Sequence, residues 1–451
     1  VATVAWANPD ADHTEFSRLT PIRIDKATGH CEDCQAAGAP ATCFADWNSG
    51  TSSVMSRELI TDQQEFEDLC THLRRAGVVA FDTEFLSEFT YRPQLCLLQF
   101  ATPDRAALVD PLSVEDLSSW WRLMASGEIL TVVHGGREEI RFCLHHAEAP
   151  PGRLFDVQIA EGLQSRSYPL SYSALVSRVL RVPVHGKETR TDWRRRPLTE
   201  RQISYALEDV QHLIAIYERQ QQTLAARGRL EWAQIEINRY VTELAQEPLR
   251  ENWRKLPGIV SLNRRELAVA REVWQWREQE AALSNKPFRR ILRDDLIIEL
   301  ARRQPRDVSD LLATRDMNRS DYRRLAPAMI GAIQKGLAVR EEQLPATRRN
   351  EKDQDEQLLA QLLNMALANR CAQEEIALGL VGTTADLRHL VRWHVYSDRA
   401  GDPPRLTQGW RAEVCGDLLT DVLDGRIALR VNDPKAEYPL VFERHHSPGK
   451  K

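Results

Sequence analysis

One short apolar run with an acidic end constrains this chain more than any other segment. Gly77-Val78-Val79-Ala80-Phe81 reads as a buried strand, and it runs straight into Asp82-Thr83-Glu84-Phe85. In a strand, residues i and i+2 share a face, so Asp82 and Glu84 project side by side from an apolar strand end. Adjacent carboxylates repel unless something positive lies between them, and hard oxygen ligands suit Mg²⁺ or Mn²⁺. Taken alone, the pair reads more readily as a solvated strand end.

The surroundings narrow the choice. Leu95 to Phe100 and Ala106 to Val109 supply two more strand patterns, and three strands in such close succession predict an antiparallel meander. A helix opens at Thr61-Asp62, with Phe66, Leu69, Cys70 and Leu73 at helical spacing, and Ile129 to Val133 forms a strand that runs into a helix from Arg137. The expected class is α/β with a mixed sheet flanked by helices. Farther on, Thr199 and Gln202 make a capping box for a helix expected to reach about residue 222. Its Tyr205 and Asp209 fall on one face, one turn apart. A phenol so placed can orient a metal-bound water, although the pair equally describes a core aromatic beside a solvated acid.

Four blocks then carry a family resemblance. Phe81-Asp-Thr-Glu-Phe85, His134-Gly-Gly-Arg-Glu-Glu-Ile140, Phe155-Asp-Val-Gln-Ile159 and the stretch from Arg190 through Thr-Asp-Trp-Arg-Arg-Arg-Pro-Leu-Thr to Tyr205 and Asp209 occur in this order. Together they resemble ribonuclease D, in the tyrosine-bearing branch of the DEDD 3′-5′ exonucleases. The resemblance implies an RNase H-like exonuclease domain in which Asp82, Glu84, Glu139 and Asp209 hold two divalent ions, Mg²⁺ or Mn²⁺, with no organic cofactor. Tyr205 would position the attacking water. It further implies hydrolysis of RNA from a free single-stranded 3′ end to nucleoside 5′-monophosphates, in tRNA 3′ maturation or RNA turnover.

One departure bears on that expectation. The second block carries an aspartate in the family, whereas Glu139 stands here beside Glu138. The carboxylate is kept and its reach is longer by one methylene, so Glu139 is expected to serve, directly or through a water; a weakened or inactive RNA-binding relative is the competing reading. Among possible substrate contacts, His134 ends its strand and reads equally as a structural histidine. Lys187, Arg190, Arg194, Arg195 and Arg196 are candidate phosphate contacts at the cleft mouth, or a solvated basic loop. Asp156 is expected to support structure more than chemistry.

Beyond about residue 245 the patterns are helical. The segment from Asn285 to Pro305 resembles the HRDC module shared by ribonuclease D and RecQ helicases, and Gly409-Trp410-Arg411 resembles part of a more divergent second copy. In the first copy Arg289, Arg290, Arg293, Arg302 and Arg303 could line a nucleic-acid face. Ile427 to Val431 and Tyr438 to Phe442 predict a short hairpin turning at Asn432-Asp433-Pro434. The expected organisation is an N-terminal extension over 1–54, an exonuclease domain over 55–245, and two all-α HRDC-type domains over 258–340 and 352–443.

Composition excludes little further. The net charge of −5 argues against a globally basic nucleic-acid binder, and residues 1–54 contribute −4 of it, leaving a nearly neutral body. No run of about 18 apolar residues is present, so no membrane helix is expected. Cys70, Cys96, Cys143, Cys371 and Cys415 stand alone, the pattern of a reduced cytoplasmic chain. Cys31, Cys34, Cys43 and His30 could supply zinc ligands, but read more readily as an incidental cluster. The expected partner is RNA bound by a monomer.

Overall fold

The computed structural model describes residues 57–184, 191–247, 252–347, 353–397 and 399–444. The cysteine cluster at 31–43, the extension that contains it, Lys187 and Arg190 lie outside the described residues.

The first part of the described chain is built on a six-stranded mixed sheet in the order β1-β4-β3-β2-β5-β6. Its strands are β1 (Arg57–Ile60), β2 (Val78–Leu86), β3 (Gln94–Ala101), β4 (Ala106–Val109), β5 (Leu130–Val133) and β6 (Leu154–Asp156). The expected meander is β2-β3-β4, antiparallel throughout; β5 and β6 extend it in parallel on one side, and β1 pairs in parallel with β4 on the other. Sequence patterning misses β1, because four residues with two charges at their head show no period. Between Glu84 and Phe85 the β2-β3 register shifts, because Cys96 of β3 is an extra, bulged residue. A bulge re-aims neighbouring side chains, and this one directly follows the acidic pair.

Among the described residues eight helices clothe the sheet: α1 (Gln63–Ala76), α2 (Ser118–Ser126), α3 (Arg137–His146), α4 (Val157–Gly162), α5 (Tyr172–Leu180), α6 (Glu200–Gln211), α7 (Leu213–Ala226) and α8 (Leu230–Gln246). Asp62 caps α1 through the amides of Gln64 and Glu65, and the helix buries Phe66, Leu69, Cys70 and Leu73, the stripe expected from spacing. The single helix expected over 199–222 is two. His212 adopts φ −102° and ψ −7°, which interrupts the ladder. The break lets α6 lie across β2, β3 and β4 while α7 turns onto β2 and β5.

The first helical module comprises α9 (Arg264–Ser284), α10 (Phe288–Ile291), α11 (Asp294–Arg303), α12 (Val308–Leu312) and α13 (Ser320–Leu337). It has its own core, including Leu267, Val273, Leu296, Ile297, Met329 and Ile333. Buried Arg277 acts as a strut there, donating to the Leu292 carbonyl at 3.1 Å and to Asp294 at 2.6 Å.

The last segment comprises α14 (Asp353–Gln373), α15 (Leu378–Val381), α16 (Thr384–Val391), α17 (Gly409–Cys415) and α18 (Leu418–Leu423), followed by the expected hairpin, β7 (Ile427–Val431) with β8 (Leu440–Arg444). Its helices pack on one another around α14. Leu363, Leu367, Leu387, Trp410 and Leu418 belong to the same apolar cluster as the exonuclease sheet. At the seam the Trp232 and Trp410 rings stack at 5.5 Å, and the Ala377 amide donates to the Gly162 carbonyl at 2.8 Å. Gly162 has no room for a side chain, because a Cβ there would stand 2.5 Å from Leu380. Met55–Lys451 is accordingly one compact unit.

Candidate active site

The site is assembled from three elements. Strand β2 carries Asp82 and Glu84 on one face, at its bulged end, while buried Thr83 points the other way. Helix α6, set by the Thr199–Gln202 capping box, carries Tyr205 and Asp209 one turn apart. Helix α3 carries Glu139 in its first turn, behind the His134-Gly135-Gly136 corner.

That corner demands glycine twice. Gly135 has φ +63°, and a Cβ on Gly136 would lie 2.4 Å from a Val133 methyl carbon. Asp156 then fastens it: one carboxylate oxygen accepts from the Gly135 amide at 3.0 Å, the other from the Gly136 amide at 3.1 Å, and the same residue caps α4. Its role is therefore structural.

The carboxylates are charged neighbours without a cation. None of Asp82, Glu84, Glu139 and Asp209 forms an ion pair with a basic side chain among the described residues. Burial pushes Asp82 well above the usual carboxylate range, and the charges of Glu139, Asp209 and Glu84 add to the shift. Burial, then Asp209 and Glu139, push Glu84 up to about 8. Burial pushes Glu139 up to about 7, against the opposing hydrogen bond from Thr83, whose hydroxyl donates to Glu139 Oε1 at 2.6 Å. Asp209 is pushed up to about 7 by burial, against the hydrogen bond that the Tyr205 phenol donates to it. The phenol is in turn pushed up by burial and by Asp209, so it remains a donor.

Tested as a metal site, this donor set fits in chemistry: it is all oxygen, anionic and partly desolvated, the donor set that a hard divalent cation prefers. Among the described residues no three His, Cys, Asp or Glu side chains close on one ligating point.

The remaining sequence candidates separate. His134 lies in a T-shaped contact with Tyr172 and its Nε2 hydrogen-bonds the Leu170 carbonyl oxygen at 2.9 Å, so its imidazole is engaged in holding the 168–172 turn. Arg196, expected as a phosphate contact, has its guanidinium engaged within the protein. Its guanidinium donates to both Asp110 oxygens, at 2.5 and 2.7 Å, and to the carbonyls of Cys96 and Trp193, which ties the loop before α6 to the sheet. Arg195 is exposed, 3.8 Å from Asp192, and Arg194 pairs with Asp192 through two nitrogens. Sequence reading missed Tyr172, whose hydroxyl donates to the Glu208 carbonyl at 2.6 Å and braces α6 beside Asp209. Nothing in the local pattern singles that tyrosine out.

Comparison with known proteins places this geometry. Residues 57–225 match a family described as 3′-5′ exonuclease, and residues 266–333 match the HRDC domain. Ribonuclease D of Bartonella henselae is 32% identical over 391 residues, covering 86% of this chain and 94% of the relative; that of Nitrobacter hamburgensis is 32% identical over 377 residues, covering 83% and 97%. The chain belongs to the ribonuclease D family. It is a 3′-5′ exoribonuclease by that membership, with the exonuclease fold followed by the helical HRDC module. The crystal structure of Escherichia coli RNase D, an exoribonuclease involved in structured RNA processing, superposes with a TM-score of 0.71 at 26% identity, over 82% of this chain and 99% of that one.

Proposed function

We propose that the chain is a divalent-metal-dependent exoribonuclease that removes nucleoside 5′-monophosphates one at a time from a free single-stranded RNA 3′ end, in tRNA 3′ maturation or RNA turnover. The observation that supports the metal dependence is the gathering of four neighbouring carboxylates from β2, α3 and α6 with no basic side chain paired to them among the described residues. Asp82, Glu84, Glu139 and Asp209 would hold two ions, which when bound stabilise the entering and departing oxygens of an in-line displacement. Thr83 holds the Glu139 carboxyl, and Asp156 holds the helix that presents it. Tyr205, protonated and bonded to Asp209, is the group suited to orient the attacking water.

The buried, unpaired cysteines support a reduced, cytoplasmic setting. Among the described residues no helix is long and apolar enough to cross a membrane. A monomer divided at 55–245, 258–340 and 352–443 remains the working organisation, with the last part packed into the first.

A 3′-tailed RNA incubated with Mg²⁺ or Mn²⁺ should yield a ladder of products and 5′-monophosphates, and neither with EDTA. Binding without release under both metals would instead favour the RNA-binding reading, which the turn of Glu139 toward Thr83 keeps in view.

A further inference from the structure

Phe89 is a large apolar side chain left 48% exposed on the loop that leaves β2 five residues after Glu84. Two guanidinium groups converge on its ring: Arg194 at 5.4 Å from the centroid and Arg290 at 5.7 Å. They come from different parts of the molecule. Arg194 follows Trp193, whose ring lies 6.2 Å from that of Tyr205, and Arg290 belongs to α10 of the HRDC module. The cluster thus sits where loops from two of the acid-bearing elements meet the first helical module. Arg92 of the same loop donates its amide to Asn285 at 3.3 Å, which fixes the junction.

Like charges gather at one ring only at an electrostatic cost, and a single carboxylate, Asp192, neutralises Arg194. Arg290 has no carboxylate partner among the described residues. Other arginines of the module are engaged otherwise: Arg293 with Asp295 and Asp316, Arg303 with Asp310, Arg302 with Ser261. Arg289 remains beside Arg290, over Phe288 at 5.7 Å. An exposed ring framed by two guanidinium groups, one of them without a carboxylate partner among the described residues, has the make-up of a single-strand nucleic-acid platform, in which a base stacks on the aromatic face and its phosphates meet the cations.

We propose that Phe89 is the stacking contact for a nucleobase of the single-stranded RNA tail upstream of the scissile bond, with Arg290 and Arg194 taking its flanking phosphates. The proposal rests on the exoribonuclease reading and adds to it a binding residue outside the acidic cluster.

The probe is a dodecamer of adenylates carrying 2-aminopurine at one position per oligomer, titrated in EDTA so that nothing is hydrolysed. Wild-type protein should quench the fluorophore at one position, and Phe89→Leu, which keeps apolar volume but no ring, should lose the quench and bind about tenfold or more weakly. Phe89→Trp should restore both. Arg290→Ala should weaken binding and flatten its dependence on salt. Full quench or wild-type affinity in Phe89→Leu overturns the stacking role, and unchanged salt dependence overturns the part given to Arg290. The two readings fail separately: wild-type protein that releases monophosphates with Mg²⁺ but quenches no position refutes the platform alone, whereas quench without hydrolysis refutes the nuclease reading alone.

Discussion

At the residue scale, the departure at Glu139 sets the sharpest test. Its carboxyl sits one methylene beyond the family's aspartate and is held by Thr83 rather than turned fully to Asp82. Glu139→Ala should lose at least about a hundredfold in single-turnover monophosphate release, whereas Glu139→Asp should retain activity and shift metal preference from Mn²⁺ toward Mg²⁺; intact turnover in the alanine variant would remove Glu139 from the site. Thr83→Val, which deletes only the orienting hydroxyl, should raise the Mn²⁺ concentration for half-maximal activity by about 10- to 100-fold. The acidic residues were legible because their geometry is local: a period of two joins Asp82 to Glu84, and one helical turn joins Tyr205 to Asp209. The role of Arg196 was not, since its partner Asp110 lies on another strand, 86 residues away.

At the element scale, long periodic helices and the meander could be read from spacing, while short elements and interruptions could not. Strand β1 exists because β4 offers it a parallel edge, and the break at His212 is set by where the sheet lies. Asp156 shows how much one such unperiodic position carries: it ends β6, caps α4 and holds the glycine corner that starts α3. Asp156→Ala should therefore destabilise the protein by about 2–4 kcal/mol, the loss of a helix cap together with charge-assisted bonds to two further amides. Urea unfolding monitored by tryptophan fluorescence would read this. A loss within ~0.5 kcal/mol would show that the corner holds without its carboxylate.

At the scale of the whole molecule, three successive modules are expected, and the apolar core of the third runs continuously into that of the first. The seam closes on Glu236 of α8, buried between Arg239 on its own helix and Arg411 of α17, which donates to it at 2.7 Å and to the Val381 and Leu380 carbonyls at 3.0 and 2.8 Å. No local pattern announces a pair 175 residues apart. Burial alone would push the Glu236 carboxyl up, but the Arg239 hydrogen bond and the charge of Arg411 outweigh it and hold it below the usual glutamate range. On the other side burial pulls Arg411 down in spite of Glu236, yet a guanidinium stays charged at any pH of interest, so the pH dependence belongs to the glutamate. A carboxylate with a depressed folded-state pKa stabilises fully above its unfolded value, about 4.3, and loses that contribution as pH falls through the folded value. Wild-type stability from this seam should thus be flat from neutrality to about pH 5 and decline in more acidic solution. Arg411→Met should cost about 3–5 kcal/mol at neutral pH, as a buried ion pair broken on one side does, and should show a shallower acid decline because Glu236 keeps only Arg239. Denaturation midpoints of both proteins across that pH range decide the matter: parallel curves would mean that Glu236 draws its depression from Arg239 alone, and that the two parts of the fold are joined chiefly by the apolar contact of Trp232 with Trp410.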